Sequence, residues 1–399
     1  MKNLCKEYLT KFCVEINDRS VGSPGNRATT DFIEKKLKSL GWQTKKEEFA
    51  AIDWKNEGAH LSSKNSSFEV CPSPYSLPCN TKGELIAASS LQELTQINIK
   101  DKLLLLYGDI AKEQLMPKNF VFYNPKEHRK IISYLEKEEP AAIITATERN
   151  AALAGGVYPF PMIEDGDFDI PSVYMTAEEG AKLSSFIGKT LNLKSNSKRI
   201  PAKGYNVIAK KGKQSQNRVV VTAHVDAKKG SPGAIDNATG IIVMLLLAEL
   251  LKKYNGDKTI ELAFLNGEDY FAVPGQMLYI KNNQNNFEEI KLNINIDGAG
   301  LKDSKTAFSF YDLDEKTKLK IEHAIKSFDS ITTGKKWVQG DHSIFIQKGC
   351  RAIAISSDWF INNIDKQNIT HTNRDNIDIV DCANIKDIAM ALHSFLTNK

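Results

Sequence analysis

The stretch Val219-Val220-Val221-Thr222-Ala223-His224-Val225-Asp226 decides the fold, together with the loop Pro232-Gly233-Ala234-Ile235-Asp236-Asn237 and the apolar run Thr239 to Tyr254 that follow it. Four consecutive β-branched residues without polar alternation read as a strand buried on both faces. The long apolar segment behind a glycine-containing loop reads as a helix packed against it. The pattern repeats downstream in Ile260-Glu261-Leu262-Ala263-Phe264-Leu265, Leu292-Asn293-Ile294-Asn295-Ile296 and Ala352-Ile353-Ala354-Ile355. Buried strands alternating with helices predict an α/β unit with a largely parallel sheet, and in such sheets ligand sites form at the C-terminal strand ends.

Working outward, the spacing of Phe32, Ile33, Leu37 and Leu40 predicts an amphipathic helix that starts near Asn26 and stops at Gly41. A polar stretch from Leu61 to Thr81, containing Pro72-Ser73-Pro74, reads as a crossover between domains. From Gly83 to Ser195 the runs become short and β-rich, Lys102 to Tyr107 and Ala141 to Thr145, with a helical pattern from Arg129 to Glu138 between them. The expected organisation is one unit made of residues 1–57 and 197–399, interrupted by a β-rich insert over 58–196.

Composition bounds the function. A chain of 399 residues with 41% hydrophobic and 26% charged side chains is larger than one core usually serves and is neither disordered nor membrane-like. The 53 Lys+Arg and 49 Asp+Glu leave a net charge of +4 with no basic run, which argues against nucleic acid as a partner. Charge interrupts the N-terminal segment early, and no stretch reaches about 18 uninterrupted apolar residues, so neither a leader nor a membrane span is expected and a cytoplasmic location is. The six cysteines, at 5, 13, 71, 79, 350 and 382, lack paired metal spacing and read as idle thiols.

The chemistry sits at the strand ends. His224 and Asp226 follow the first strand, Glu268 and Asp269 the second, and Asp297 the third; Asp236 precedes the apolar helix and His371 comes late in the chain. Taken singly, each has a plain reading as a loop histidine, a helix cap or a turn residue. Together, two imidazoles and several carboxylates at converging positions have the donor chemistry of zinc or a neighbouring transition metal rather than calcium.

On these residues the chain resembles the co-catalytic zinc exopeptidases that include bacterial leucyl aminopeptidases, aminopeptidase Y and glutamate carboxypeptidase. The resemblance is carried by Ala223-His224-Val225-Asp226, Pro232 to Gly240, Phe264-Leu265-Asn266-Gly267-Glu268-Asp269, Asn295-Ile296-Asp297-Gly298, Gly340-Asp341-His342-Ser343-Ile344-Phe345 and His371-Thr372-Asn373-Arg374-Asp375. Weaker matches are Gly22 to Asn26 and Tyr205 to Ile208, and the insert is similar to a protease-associated domain.

The resemblance implies a three-layer α/β/α peptidase domain with a mixed, largely parallel sheet. It implies two Zn2+ per chain, replaceable by cobalt or manganese, with Asp236 bridging, His224 and Asp297 on one ion, and Asp269 and His371 on the other. Glu268 becomes the general base, Asp226 the acceptor that orients His224, and His342 a contact for substrate or oxyanion. The implied activity is a metal-dependent aminopeptidase acting on peptides with a free N-terminus. A carboxypeptidase, a glutaminyl-cyclase-like enzyme and a receptor-like scaffold without metal are the alternatives. The insert is available to gate the site or to join a homo-oligomer. Two positions depart from the pattern: Asp269 stands where many members have Glu, and Thr370 where some have a Tyr thought to stabilise the oxyanion.

Overall fold

The computed structural model describes residues 1–120, 124–149, 154–213 and 216–397, which fold as two units, one of residues 1–51 and 203–399 and one of 52–202. The chain passes from one unit to the other inside two long strands, Gln43–Lys55 and Lys198–Lys211. The polar stretch from Leu61 to Thr81 is therefore not a crossover. It supplies the short strands Ala59–Ser62, Ser67–Phe68 and Cys71–Pro72 and the start of Cys79–Ala88 to the second unit's own sheet. Its prolines and serines mark turns between edge strands.

The first sheet contains β1 (Gln43–Lys55), β2 (Lys198–Lys211), β3 (Arg218–His224), β4 (Thr259–Leu265), β5 (Ile290–Ile296), β6 (Thr306–Tyr311), β7 (Ile331–Thr333) and β8 (Ala352–Ser357), in the order β1-β2-β4-β3-β5-β8-β6-β7. Strands β4, β3, β5 and β8 are parallel neighbours, while β2 and β6 pair antiparallel with β4 and β8. The register sets His224 opposite Leu265 and Thr222 opposite Asn295, so the C-terminal ends of β3, β4 and β5 reach one edge together.

The two faces of this sheet differ. Val219, Val221, Leu262, Phe264, Ile294 and Ile355 join one continuous core with the helices α1 (Lys2–Thr10), α2 (Pro24–Ser39), α3 (Thr239–Leu250), α5 (Glu315–Ile325) and α8 (Cys382–Thr397). Residues Thr239 to Ala248 of α3 are all buried, which is why its sequence is apolar all round. The other face, covered by α4 (Pro274–Asn283) and α6 (His342–Gln347), buries polar groups that pair with one another in part. Thr222 Oγ1 donates to Asn295 at 2.8 Å, Tyr279 donates to Glu261 at 2.6 Å, and Glu261 faces Arg218 at 3.3 Å. The short helix α7 (Asp358–Asn363) follows β8 directly.

Helix α2 starts earlier than its sequence pattern suggests. Ser23 caps it by accepting from Asn26 N–H, with Pro24 in the first helical position, and Gly41, at φ +72°, ends it. Asn26 lies inside the helix, and its buried amide exchanges hydrogen bonds of 2.9 Å with Asn266.

The second unit builds its own eight-stranded sheet, in which Cys79–Ala88, Leu103–Leu106, Ala142–Thr147 and Ser172–Thr176 are parallel neighbours. The helices Leu91–Leu94, Lys126–Glu138 and Ala177–Ser184 belong to it. All six cysteines are free, and among the described residues no helix is long and apolar enough to cross a membrane.

Candidate metal centre

His224 is the last residue of β3, and its burial between β4 and β5 fixes where its ring points. Its Nε2 lies 3.1 Å from Asp236 Oδ1 and 3.4 Å from Asp297 Oδ1. The other oxygen of Asp236 lies 3.2 Å from His371 Nε2, which is also 3.0 Å from Asp269 Oδ1. The five residues therefore form two lobes that share Asp236, one of its oxygens facing each imidazole.

The distances test whether a metal fits. Two atoms each about 2.1 Å from one tetrahedral zinc stand about 3.4 Å apart, and the observed separations fall close to that value. The contacts of His224 are short, yet both ring nitrogens are buried without a hydrogen-bond partner, as is Asp269 Oδ2. These three buried atoms thus stand among other polar groups without a hydrogen bond of their own. That arrangement is costly for hydrogen-bonding groups and apt for metal ligands. His224, Asp236 and Asp269 each offer a ligand atom within 4.8 Å of the others.

Loop tethers hold this geometry. Asp226 accepts backbone hydrogen bonds from Gly267 at 2.7 Å, Glu268 at 3.3 Å and Asp269 at 3.0 Å. It faces His224 Nδ1 at 3.6 Å, beyond hydrogen-bond length, so its bonding goes chiefly to the loop that carries Glu268 and Asp269 rather than to the imidazole. Asp375 does the same for the bridging position: its carboxylate accepts Ile235 N–H at 2.6 Å and Asp236 N–H at 3.0 Å. Ser231 Oγ donates to the Thr372 carbonyl at 3.0 Å and Ala234 N–H to the Asp375 carbonyl at 3.2 Å, which joins the loops bearing Asp236 and His371 further. Arg19, 2% exposed, donates to the carbonyls of Phe12, Val225, Pro232 and Gly233 and fixes the entry to the same loop. In the sequence Asp375 stands without an assigned role, and Arg19 carries no motif. An acid four residues after His371 was the available signal for the first; an isolated arginine between two helices offers none.

Electrostatics follow from the packing of many carboxylates around two imidazoles. Burial alone would lower His224 and His371, but Asp297, Asp226 and Asp236 around the first and Asp269 and Asp236 around the second raise both well above the ordinary imidazole value. Asp236 is buried too, yet the two imidazoles hold it below the usual carboxylate range. Glu268 goes the other way: burial, helped by the charges of Asp297, Asp269 and Asp341, raises it well above that range against the pull of His224. Its carboxyl has no side-chain hydrogen bond among the described residues, which leaves it available. Burial also raises Asp341, which accepts from Gln276 at 2.9 Å, and Asp375, each to about 7.

His342 is wholly buried, with its ring against Trp337 and Tyr311 at centroid distances of 4.4 and 5.1 Å. Burial lowers it to about 4, and Nε2 lies 3.0 Å from the Trp337 carbonyl, so the neutral ring carries its proton there and offers only an acceptor at Nδ1. That tautomer cannot donate to an oxyanion. Thr370 Oγ1 accepts from Gln367 at 2.7 Å. Asp269, in spite of its shorter side chain, reaches His371.

Residues 206–396 match Peptidase family M28. The leucine aminopeptidase 2 of Trichophyton equinum is 26% identical over 300 residues, covering 71% of this chain and 55% of that protein. The probable lipoprotein aminopeptidase LpqL of Mycobacterium tuberculosis is 25% identical over 281 residues, covering 66% and 51%. The chain thus spans about half the length of the curated relatives it matches. Among solved structures, an aminopeptidase from Aneurinibacillus sp. strain AM-1 superposes with a TM-score of 0.76 at 18% identity, over 99% of this chain and 93% of the other. The zinc aminopeptidase BSAP of Bacillus subtilis does so with a TM-score of 0.75 at 20% identity, over 99% and 94%. At such identities the superpositions establish the shared fold.

Proposed function

From the match of residues 206–396 to Peptidase family M28, we propose a metal-dependent aminopeptidase that removes N-terminal residues from peptides. The observation that carries the reading is the pair of lobes sharing Asp236, beside a carboxyl, Glu268, that is not used to build them. His224, Asp236 and Asp297 would hold one zinc ion, and Asp236, Asp269 and His371 a second. Bound there, the metal pair supplies a water of lowered pKa and polarises the scissile carbonyl.

The chain's own groups do the rest. Glu268, held with a raised affinity for protons, takes a proton from the attacking water and returns it to the leaving amine. Asp226 fixes the backbone of Glu268 and Asp269 together, so that base and ligand keep their spacing. Both buried arginines of this unit are committed elsewhere: Arg19 to four carbonyls, and Arg218 to Glu261, Asn283 and the Asn286 carbonyl. Neither serves as the cation a carboxypeptidase needs. The reach of Asp269 to His371 likewise counts against a scaffold that has lost its ligands.

Elemental analysis of the purified protein, paired with hydrolysis of aminoacyl anilides and their N-acetylated counterparts, tests the reading. About two zinc ions per chain and chelator-sensitive cleavage that requires a free amino group are expected. Cleavage of the acetylated substrates instead, or no metal after reconstitution, would overturn it.

A further inference from the structure

The helix Lys126–Glu138 of the second unit divides its surface by charge. His128, Ile131, Ile132 and Leu135 face inward. His128 Nδ1 accepts Met116 N–H at 3.1 Å and its Nε2 lies 3.0 Å from Glu113, which fixes the rotation of the helix about its axis. Lys126, Arg129, Lys130 and Lys137 recur at helical spacing and lie on the outward face. With Leu91, Thr95 and Tyr134 they line an open groove of about 930 Å3 beside the short helix Leu91–Leu94.

These cations are short of partners. Among the described residues no carboxylate lies within 4.0 Å of Lys126, Arg129 or Lys130, and only Lys137 has an ion pair, with Glu138 at 2.7 Å. The concentration is local, because residues 52–202 hold 17 Lys+Arg against 19 Asp+Glu. A slightly acidic unit thus gathers four positive charges along one groove whose walls are otherwise a leucine, a tyrosine and small polar groups.

We propose that this groove binds an acidic peptide segment of a partner protein in extended conformation. Lys126 to Lys137 cover about 16 Å of helix, which matches about five residues of extended chain, whereas a single phosphate needs cations that converge on one point. Side chains alternate along such a segment, so carboxylates can meet the cations while apolar neighbours lie on Leu91 and Tyr134. A single-stranded nucleic acid fits less well, since it needs successive aromatic platforms and the groove offers one half-buried tyrosine. Each contact is solvent-exposed and screened, so the interaction is modest and salt-dependent.

Fluorescence anisotropy of the full chain with a labelled peptide of alternating glutamate and leucine tests the proposal. The peptide is blocked at both ends, so that no exopeptidase can shorten it. Saturable binding is expected to weaken as salt rises from about 0.05 to about 0.3 M. The double variant R129E/K130E should lose at least about tenfold in affinity with unchanged melting temperature and unchanged aminoacyl-anilide hydrolysis, while Lys64→Glu, an exposed charge elsewhere in the unit, should bind as the parent does. Absence of saturation by about 1 mM overturns the proposal, as does an equal loss in Lys64→Glu. A single-stranded oligonucleotide or anionic vesicles that bind the parent more tightly than the peptide, and lose binding in the double variant, would assign the groove to another partner and overturn it as well.

Discussion

Both eight-stranded sheets place four parallel strands side by side, and both send those strands to a common edge, but they end them differently. In the unit of residues 1–51 and 203–399, β3 ends in His224 and the loops after β4 and β5 carry Glu268, Asp269 and Asp297. In the insert, Cys79–Ala88 runs into Ser89 and Ser90, and Leu103–Leu106 into Tyr107, Gly108 and Asp109. Ser90 accepts Glu93 N–H at 3.2 Å, and Glu93 accepts Ser89 N–H at 2.7 Å, so these polar groups are used to start a helix. Parallel topology provides a place for a site; unpartnered donors at the strand ends provide the site. Where local polar groups satisfy each other the same architecture is structural.

The sharpest way to break this contrast is Asp236→Ala. Loss of the residue shared by both lobes should abolish metal retention and reduce turnover by about a thousandfold or more, read by elemental analysis and anilide hydrolysis. Asp109→Ala at a strand end of the insert should change neither. Glu268→Gln should keep its metal while kcat falls by about a hundred- to ten-thousandfold and KM changes little. A variant with full turnover would remove Glu268 from the mechanism. Asp375→Ala separates ligand from tether. It leaves the N–H groups of Ile235 and Asp236 unpaired at a cost of about 1–3 kcal/mol, and metal affinity should fall about ten- to a hundredfold while the substituted residue touches no metal. Normal metal affinity in this variant would show that the loop holds Asp236 without it. The smallest effect belongs to the insert: Ser90→Ala should lower its stability by about 1 kcal/mol in thermal or denaturant unfolding and leave anilide hydrolysis unchanged.

Much of the site was legible because its ligands follow strands whose sequence could hardly be anything else. Val219 to Thr222, Ile260 to Leu265 and Leu292 to Ile296 are unbroken enough to fix element type, and with it the placement of His224, Glu268, Asp269 and Asp297 at one edge. Helix starts and the boundaries of the insert were less legible. Asn26 has the composition of a cap and is one residue among several that do; Ser23 takes that role because Pro24 fits the first helical position, while the Asn26 amide is needed by Asn266. The Leu61 to Thr81 stretch has the composition of a linker, but short edge strands share that composition.

By itself, then, the sequence determined the parallel strands, the helices that cover them and the set of side chains able to bind metal, since these depend on residue type and on spacing along one segment. Tertiary structure alone decided that Asp226 holds the loop of Glu268 as well as facing the ring of His224, that His342 is sealed against Trp337, and that Asp375 and Arg19 hold the bridging loop. It also decided that the cationic face of the helix Lys126–Glu138 meets Leu91 and Thr95 along one groove. The reason is range. A strand end is set by its neighbours within a few residues, whereas a hydrogen bond between Arg19 and Gly233, or between Asp375 and Asp236, joins positions more than a hundred residues apart and exists only once the loops between them have closed.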